Sequence, residues 1–143
     1  MQFTGGTMYA AALILWSGTA IVGLCLLIAR LSRGGMRRPP AKVTRYPVIP
    51  VAGHPVLALT GLGLWAWYLA SGRQAYAWAA FGVLCVTALL GFILLTRWFT
   101  GIGGRHARDT GDQPGIWGVL LHGLAGISTF ALVLVTATTM RHG

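Results

Sequence analysis

Two histidines, His54 and His122, are the residues of this sequence whose type and position suggest chemistry. His122 lies well inside the apolar run Ile116–Thr139, where no Asp, Glu, Lys, Arg or second His accompanies it. An ionisable side chain inside a membrane segment is costly to bury and by default marks a functional site. His122 is therefore the first candidate for a functional residue, and its function depends on which groups its side chain contacts.

The helical neighbours of His122 are small. Residues three and four positions apart share one face of a helix. The face that carries His122 also carries Gly118, Ala125, Gly126, Thr129 and Thr136. Glycine beside a histidine lets a flat ligand or another helix approach the backbone closely. We therefore expect this stripe to face the protein interior.

His54 is the predicted partner of His122. It begins a stripe through Ala58, Gly61 and Trp65, and the second and fourth runs cross the membrane in the same direction, so both histidines lie in the same leaflet. Counted from the predicted helix starts, His54 lies roughly 4–5 Å deep and His122 roughly 9 Å deep. The pairing therefore requires the first turn of the fourth helix to protrude from the membrane.

Two neutral imidazoles that face each other across a helical bundle suit the axial positions of a six-coordinate b-type haem. This predicts one haem b, with His54 and His122 on the iron and Gly118 and Gly126 beside the cofactor. Two other interpretations of His122 stay open: a hydrogen bond between helices, or a proton relay or quinone contact. A soft four-ligand metal site is disfavoured because no thiolate or carboxylate lies at matching depth.

Composition places the chain in a membrane. Of its 143 residues, 55% are hydrophobic and 9% are charged, whereas a water-facing surface carries about 25–35% charged residues. The net charge of +9 lies in short loops between apolar runs, which favours anionic membrane lipid as the partner and disfavours nucleic acid. Cys25 and Cys85 lie inside apolar runs, where thiols usually behave as small hydrophobes.

Four apolar runs organise the sequence, and each approaches or exceeds the roughly 20 residues that a membrane helix needs. They predict an all-α four-helix transmembrane bundle, a single integral membrane domain over residues 1–143, with helices at about 8–31, 51–71, 75–99 and 114–140. The uncharged N-terminus predicts a retained first helix instead of a cleaved leader. No convincing repeat between the two halves is expected, although the second and fourth runs both carry a histidine near their start.

The connecting segments set the predicted orientation. Ser32–Pro50 holds four prolines and several arginines, and Thr100–Gln113 combines glycines with arginines without matching a phosphate-binding loop. These two loops and their flanks hold nine Lys and Arg residues, while the other side holds Arg73 and Arg141. The positive-inside rule then predicts that both termini face outward and both basic loops face the cytoplasm. The predicted location is the bacterial cytoplasmic (inner) membrane.

The fourth run, VLLHGLAGISTFALVLVTA, resembles a phrase of the form LHGLLAxxTLxLVLLA in small uncharacterised bacterial four-helix integral membrane proteins. In general plan the chain also looks like small four-helix b-type cytochromes. It departs from the two-haem members, which need four axial ligands, because only His54 and His122 are placed in the membrane. The resemblance implies one haem at most.

The predicted function is a small integral subunit of a respiratory or related electron-transfer complex that works with other membrane subunits and exchanges electrons with quinone. The alternative is a non-catalytic accessory or assembly subunit with no cofactor, whose glycine-lined helices pack against larger neighbours. The helices contain no acidic residue, which disfavours an ion-coupled transporter. No hydrolase motif is present.

Overall fold

The computed structural model describes residues 3–32, 48–102 and 115–139, which form four α-helices. These are α1 (Phe3–Ser32), α2 (Val48–Ser71), α3 (Gln74–Ile102) and α4 (Ile116–Thr139). All four are long and apolar enough to cross a membrane. No strand occurs within these ranges. The predicted all-α four-helix transmembrane bundle is confirmed.

One end of the bundle carries the described membrane-flanking arginines Arg30 and Arg97. It is the end at which α1 and α3 finish and α2 and α4 begin, and we call it the basic end. Most of the two predicted basic loops lies outside the described residues, as do His106 and His142. The orientation of the basic end toward the cytoplasm stays a prediction.

The start of α2 decides the depth of His54. The helix begins at Val48, three residues before the predicted Val51, and holds Pro50 in its first turn, where a missing N–H costs little. Since α2 begins at Val48 and α4 at Ile116, His54 and His122 each follow the first residue of their helix by the same number of positions. The predicted difference in depth therefore does not arise.

A tight turn joins α2 to α3. Gly72 has φ 67°, a left-handed conformation that glycine adopts at helix C-termini without steric cost, and its N–H donates to the carbonyl of Tyr68 at 2.8 Å. The connection is so short that α2 and α3 must be antiparallel neighbours. This places the start of α3 beside the end of α2, at the end of the bundle opposite the basic end.

The four helices form two closely packed pairs. Contacts are most extensive between α2 and α3 and between α1 and α4, and they are fewer between α1 and α2 and between α3 and α4. The half away from the basic end holds the packed core, which consists of Ala12, Trp16, Trp65, Tyr68, Ala77, Ala80, Leu84 and Val133. The large side chains on the outside are mostly Ile, Leu and Val, as expected where a helix meets lipid.

The two halves of the chain repeat each other, which corrects the expectation that no convincing repeat relates them. Identical residues recur 68 positions apart without a gap: Ala12 and Ala80, Thr19 and Thr87, Gly23 and Gly91, Leu26 and Leu94, Val51 and Val119, His54 and His122. The packing repeats as well. The repeat relates α1 to α3 and α2 to α4, so the α2–α3 contact corresponds to the α4–α1 contact, and these are the two most extensive contacts. An approximate two-fold relation therefore places α1 opposite α3 and α2 opposite α4.

Gly61 of α2 packs closely against Trp16 of α1 in the packed core. A Cβ built there would lie 2.7 Å from Cζ2 of Trp16, a side chain only 2% exposed and unable to move aside. We expect Gly61→Ala to lower the free energy of unfolding in detergent by about 1–3 kcal/mol, as overpacking does. Thermal unfolding followed by circular dichroism measures the effect.

Gly63→Ala is the matched control for Gly61→Ala, since a Cβ at Gly63 meets nothing within 4 Å. Alanine there removes a helix-propensity penalty of up to about 1 kcal/mol, so the control should be neutral or stabilising. Equal stability of the two variants would contradict the described packing of Trp16.

Candidate functional site

The structure brings together the two histidines that the sequence paired. The ring centroids of His54 and His122 lie 6.0 Å apart, and their planes are inclined by 78°. His54 comes from the α2–α3 pair and His122 from the α1–α4 pair, so the two imidazoles face each other across the gap between the pairs.

His122 is held against α1 by a hydrogen bond and a close contact. Its Nδ1 lies 3.1 Å from the carbonyl oxygen of Thr19. Four residues later, Gly23 makes room for the ring, because a Cβ there would lie 2.7 Å from Cε1 of His122. The Thr19 hydroxyl donates to the carbonyl of Leu15 at 2.8 Å. Glycine at this one position thus allows the imidazole to reach a backbone carbonyl of the neighbouring helix.

His54 is held against α3 in the same way. Its Nδ1 lies 2.9 Å from the carbonyl oxygen of Thr87, and a Cβ at Gly91 would lie 2.9 Å from its Cε1. The Thr87 hydroxyl donates to the carbonyl of Val83 at 2.8 Å. Each histidine therefore docks on a Thr-x-x-x-Gly segment of an odd-numbered helix. The sequence prediction missed these four residues, and the signal that marks them is their recurrence 68 positions apart.

These hydrogen bonds determine which nitrogen of each ring is available. A carbonyl oxygen accepts and cannot donate, so each Nδ1 carries the proton and each Nε2 of the neutral ring keeps its lone pair. A histidine that donates Nδ1–H to a carbonyl is oriented as metal-ligating histidines usually are. Two imidazoles bound to one ion from opposite sides have centroids about 6 Å apart, given metal–nitrogen bonds of about 2.0–2.1 Å. The observed separation agrees with that value.

A cavity of about 940 Å³ surrounds the histidine pair and lies between the two helix pairs, in the half of the bundle toward the basic end. All four helices contribute to its wall, and most wall residues are apolar. The cavity wall follows the internal repeat. Each described wall residue on α1 or α2 has another wall residue 68 positions later, on α3 or α4. The volume is in the range of pockets that bind small molecules and cofactors.

The two glycines predicted to lie beside a cofactor have different surroundings. Gly126 lines the cavity, and a Cβ there would meet nothing within 4 Å. Gly118 does not line the cavity; it packs against α1, where a Cβ would lie 2.8 Å from Cδ2 of Leu26. Part of the small-residue stripe on α4 thus faces a helix, and the hydroxyl oxygens of Thr129 and Thr19 lie 3.1 Å apart at the same contact.

Two further wall residues, Arg30 and Trp98, were not anticipated as site residues. They lie on α1 and α3 near the basic end, and Trp98 is 4% exposed. Cys85 also lines the cavity, but no group of three or more His, Cys, Asp or Glu that could hold a metal ion occurs in the described ranges.

Gly23 and Gly91 allow a selective test of the docking. In the ligand-free protein in detergent micelles, we expect Gly23→Ala to displace the ring of His122 and leave His54 in place, since the new methyl group would overlap Cε1 of His122 alone. Gly91→Ala should do the reverse. Nitrogen-15 NMR of the histidine side chains measures both, through loss of the uniform Nδ1–H tautomer at the displaced ring.

Gly126→Ala is the matched control, because it adds the same methyl group to the cavity wall where space is open. It should change neither tautomer. The docking described for the two histidines would be refuted if each glycine substitution affected both rings equally.

The candidate site consists of paired, oriented imidazoles in an apolar cavity that two similar halves of the chain build together. Its residues come from all four helices, so the complete bundle is needed to form it. Comparison with protein-family models, with curated proteins and with solved structures finds no match to this chain.

Proposed function

We propose that this chain is a small integral membrane subunit of a respiratory or related electron-transfer complex and that it carries one b-type haem between His54 and His122. One observation carries the proposal: two imidazoles, each bonded through Nδ1 to a backbone carbonyl, lie with ring centroids 6.0 Å apart in a cavity that is mostly apolar. Interhelical packing alone does not require such a cavity.

The donor set suits haem better than a bare metal ion. Two imidazoles leave most coordination positions of a transition metal empty, and the described residues supply no third ligand. Haem iron needs only two axial ligands because the macrocycle provides the others. The cavity between the two helix pairs is lined mostly by apolar groups, which suits a cofactor with a large apolar surface.

The residues of the chain have distinct roles in this proposal. His54 and His122 hold the iron, and the carbonyls of Thr87 and Thr19 orient the rings and increase the basicity of the ligating nitrogens. Haem bound in this way supplies one-electron transfer. If His54 and His122 both held the iron, no position would remain open for oxygen, so such a site would suit electron transfer.

Electrons must come from and go to other molecules, since the described residues form only membrane-spanning helices. We propose that quinone and neighbouring subunits donate and accept these electrons. The basic end then faces the cytoplasm of a bacterial cell, by the excess of Lys and Arg on that side. A haem held by His54 and His122 would lie in the leaflet on that side, at the depth of the histidine pair.

One observation favours the alternative, a non-catalytic accessory or assembly subunit. Each Nδ1 is already bonded to a carbonyl on another helix, and such bonds by themselves contribute up to about 1–2 kcal/mol to helix association. In that case the histidines serve packing within the bundle, and the cavity is closed by lipid or by a larger neighbour.

A visible spectrum of the protein purified after haem-replete expression separates the two functions. We expect a Soret band and reduced α-band of a low-spin b-type haem, with one haem per chain. His54→Ala and His122→Ala should each abolish the low-spin spectrum, because the iron loses an axial ligand. His106→Ala is the control and should leave the spectrum unchanged, since the sequence places His106 in a polar loop.

Each outcome has a separate meaning. If wild-type protein has no Soret band, the haem proposal is lost and the accessory function stands. If a band survives His122→Ala unchanged, haem is bound by other ligands and the assigned pair is wrong.

A further inference from the structure

The polar wall residues nearest the basic end are Arg30 on α1 and Trp98 on α3. Arg30 is the only Lys, Arg, Asp or Glu among the described residues of the cavity wall. Trp98 is 4% exposed, and its indole Nε1–H has no hydrogen-bond partner in the part of the chain that the structure describes. Buried N–H groups almost always find an acceptor, so the indole N–H of Trp98 is a donor that a ligand in the cavity can engage.

Arg30 and Trp98 are counterparts in the internal repeat, 68 positions apart on opposite helices of the bundle. Each follows its histidine-contacting glycine, Gly23 or Gly91, by two turns of helix, about 10 Å along the axis. The cavity therefore has the two imidazoles at its middle depth and one donor on each side at the basic end.

We propose that Arg30 and Trp98 receive the two carboxylates of the haem, so that its propionate edge points toward the basic end. The assignment rests on the proposed function, because it concerns the same cofactor. Haem is apolar except for two carboxylates on one edge, and this cavity is lined mainly by apolar groups but holds two donors at one end. Both donors form charge-assisted hydrogen bonds with a carboxylate, and Arg30 also neutralises its charge.

The test compares two ligands that differ only in the carboxylates. Ferric haem b and its dimethyl ester share the macrocycle and the iron, but the ester carries no charge. Full-length protein purified without haem is titrated with each in detergent, and the low-spin Soret band gives the dissociation constants. The ratio of the two constants reports recognition of the carboxylates and is independent of the axial ligands.

We expect wild-type protein to bind haem more tightly than the ester. Trp98→Phe and Arg30→Gln should each weaken haem binding about tenfold, the loss of one charge-assisted hydrogen bond, and leave ester binding unchanged. Unchanged ester binding also shows that the variant is folded. The matched controls are Trp117→Phe and Arg97→Gln, whose side chains are exposed and do not line the cavity, and which should preserve both constants.

The proposal is overturned if Trp98→Phe and Arg30→Gln keep the wild-type ratio of haem to ester affinity, even when the low-spin spectrum upholds the proposed function. It is equally overturned if wild-type protein binds the ester as tightly as haem, because the two donors then serve another acceptor such as a lipid phosphate. Absence of a low-spin spectrum with both ligands removes the proposed function and this assignment together.

Discussion

The central constraint on this bundle is the docking of each imidazole on a backbone carbonyl of a neighbouring helix. A bulky polar ring reaches that carbonyl only where the facing helix lacks a side chain, and Gly23 and Gly91 provide the two openings. Once the Nδ1 atoms are bonded to Thr19 and Thr87, the depth, orientation and protonated nitrogen of both rings are set. Two interhelical bonds thus determine the geometry at the middle of the cavity.

The internal repeat explains why the site lies on the axis of the bundle. Each half contributes one histidine from its second helix and one Thr-x-x-x-Gly segment from its first. The two histidines meet because the second helix of each half packs against the first helix of the other. Each wall residue of one half therefore has a counterpart on the opposite side of the cavity. The complete chain forms one site with two histidines, whereas one half alone would supply only one histidine.

Packing and cavity are divided between the two ends of the bundle. Away from the basic end, Trp16 packs on Gly61 and Trp65 donates its indole N–H to the carbonyl of Tyr9, so the helices are tightly joined there. Toward the basic end the pairs separate around the histidines. The closely packed half keeps the helix pairs in register, which allows the other half to retain a cavity without loss of the fold.

The sequence alone determined the four membrane-spanning helices and the importance of His54 and His122, because hydropathy and an ionisable group in an apolar run are local properties. It did not show which helices pair or which carbonyls the imidazoles meet, since every residue has a carbonyl and the recurrence that marks Thr19 and Thr87 gains its meaning only when the helices are paired. The repeat was obscured because many paired positions carry different residues, including buried pairs such as Trp16 and Leu84. Pro50, which the sequence placed either at the end of the basic loop or in the first turn of the second helix, lies in the first turn of α2. Only the tertiary structure brought both histidines to one depth and placed Arg30 and Trp98 at the cavity wall, because that placement depends on contacts between distant segments.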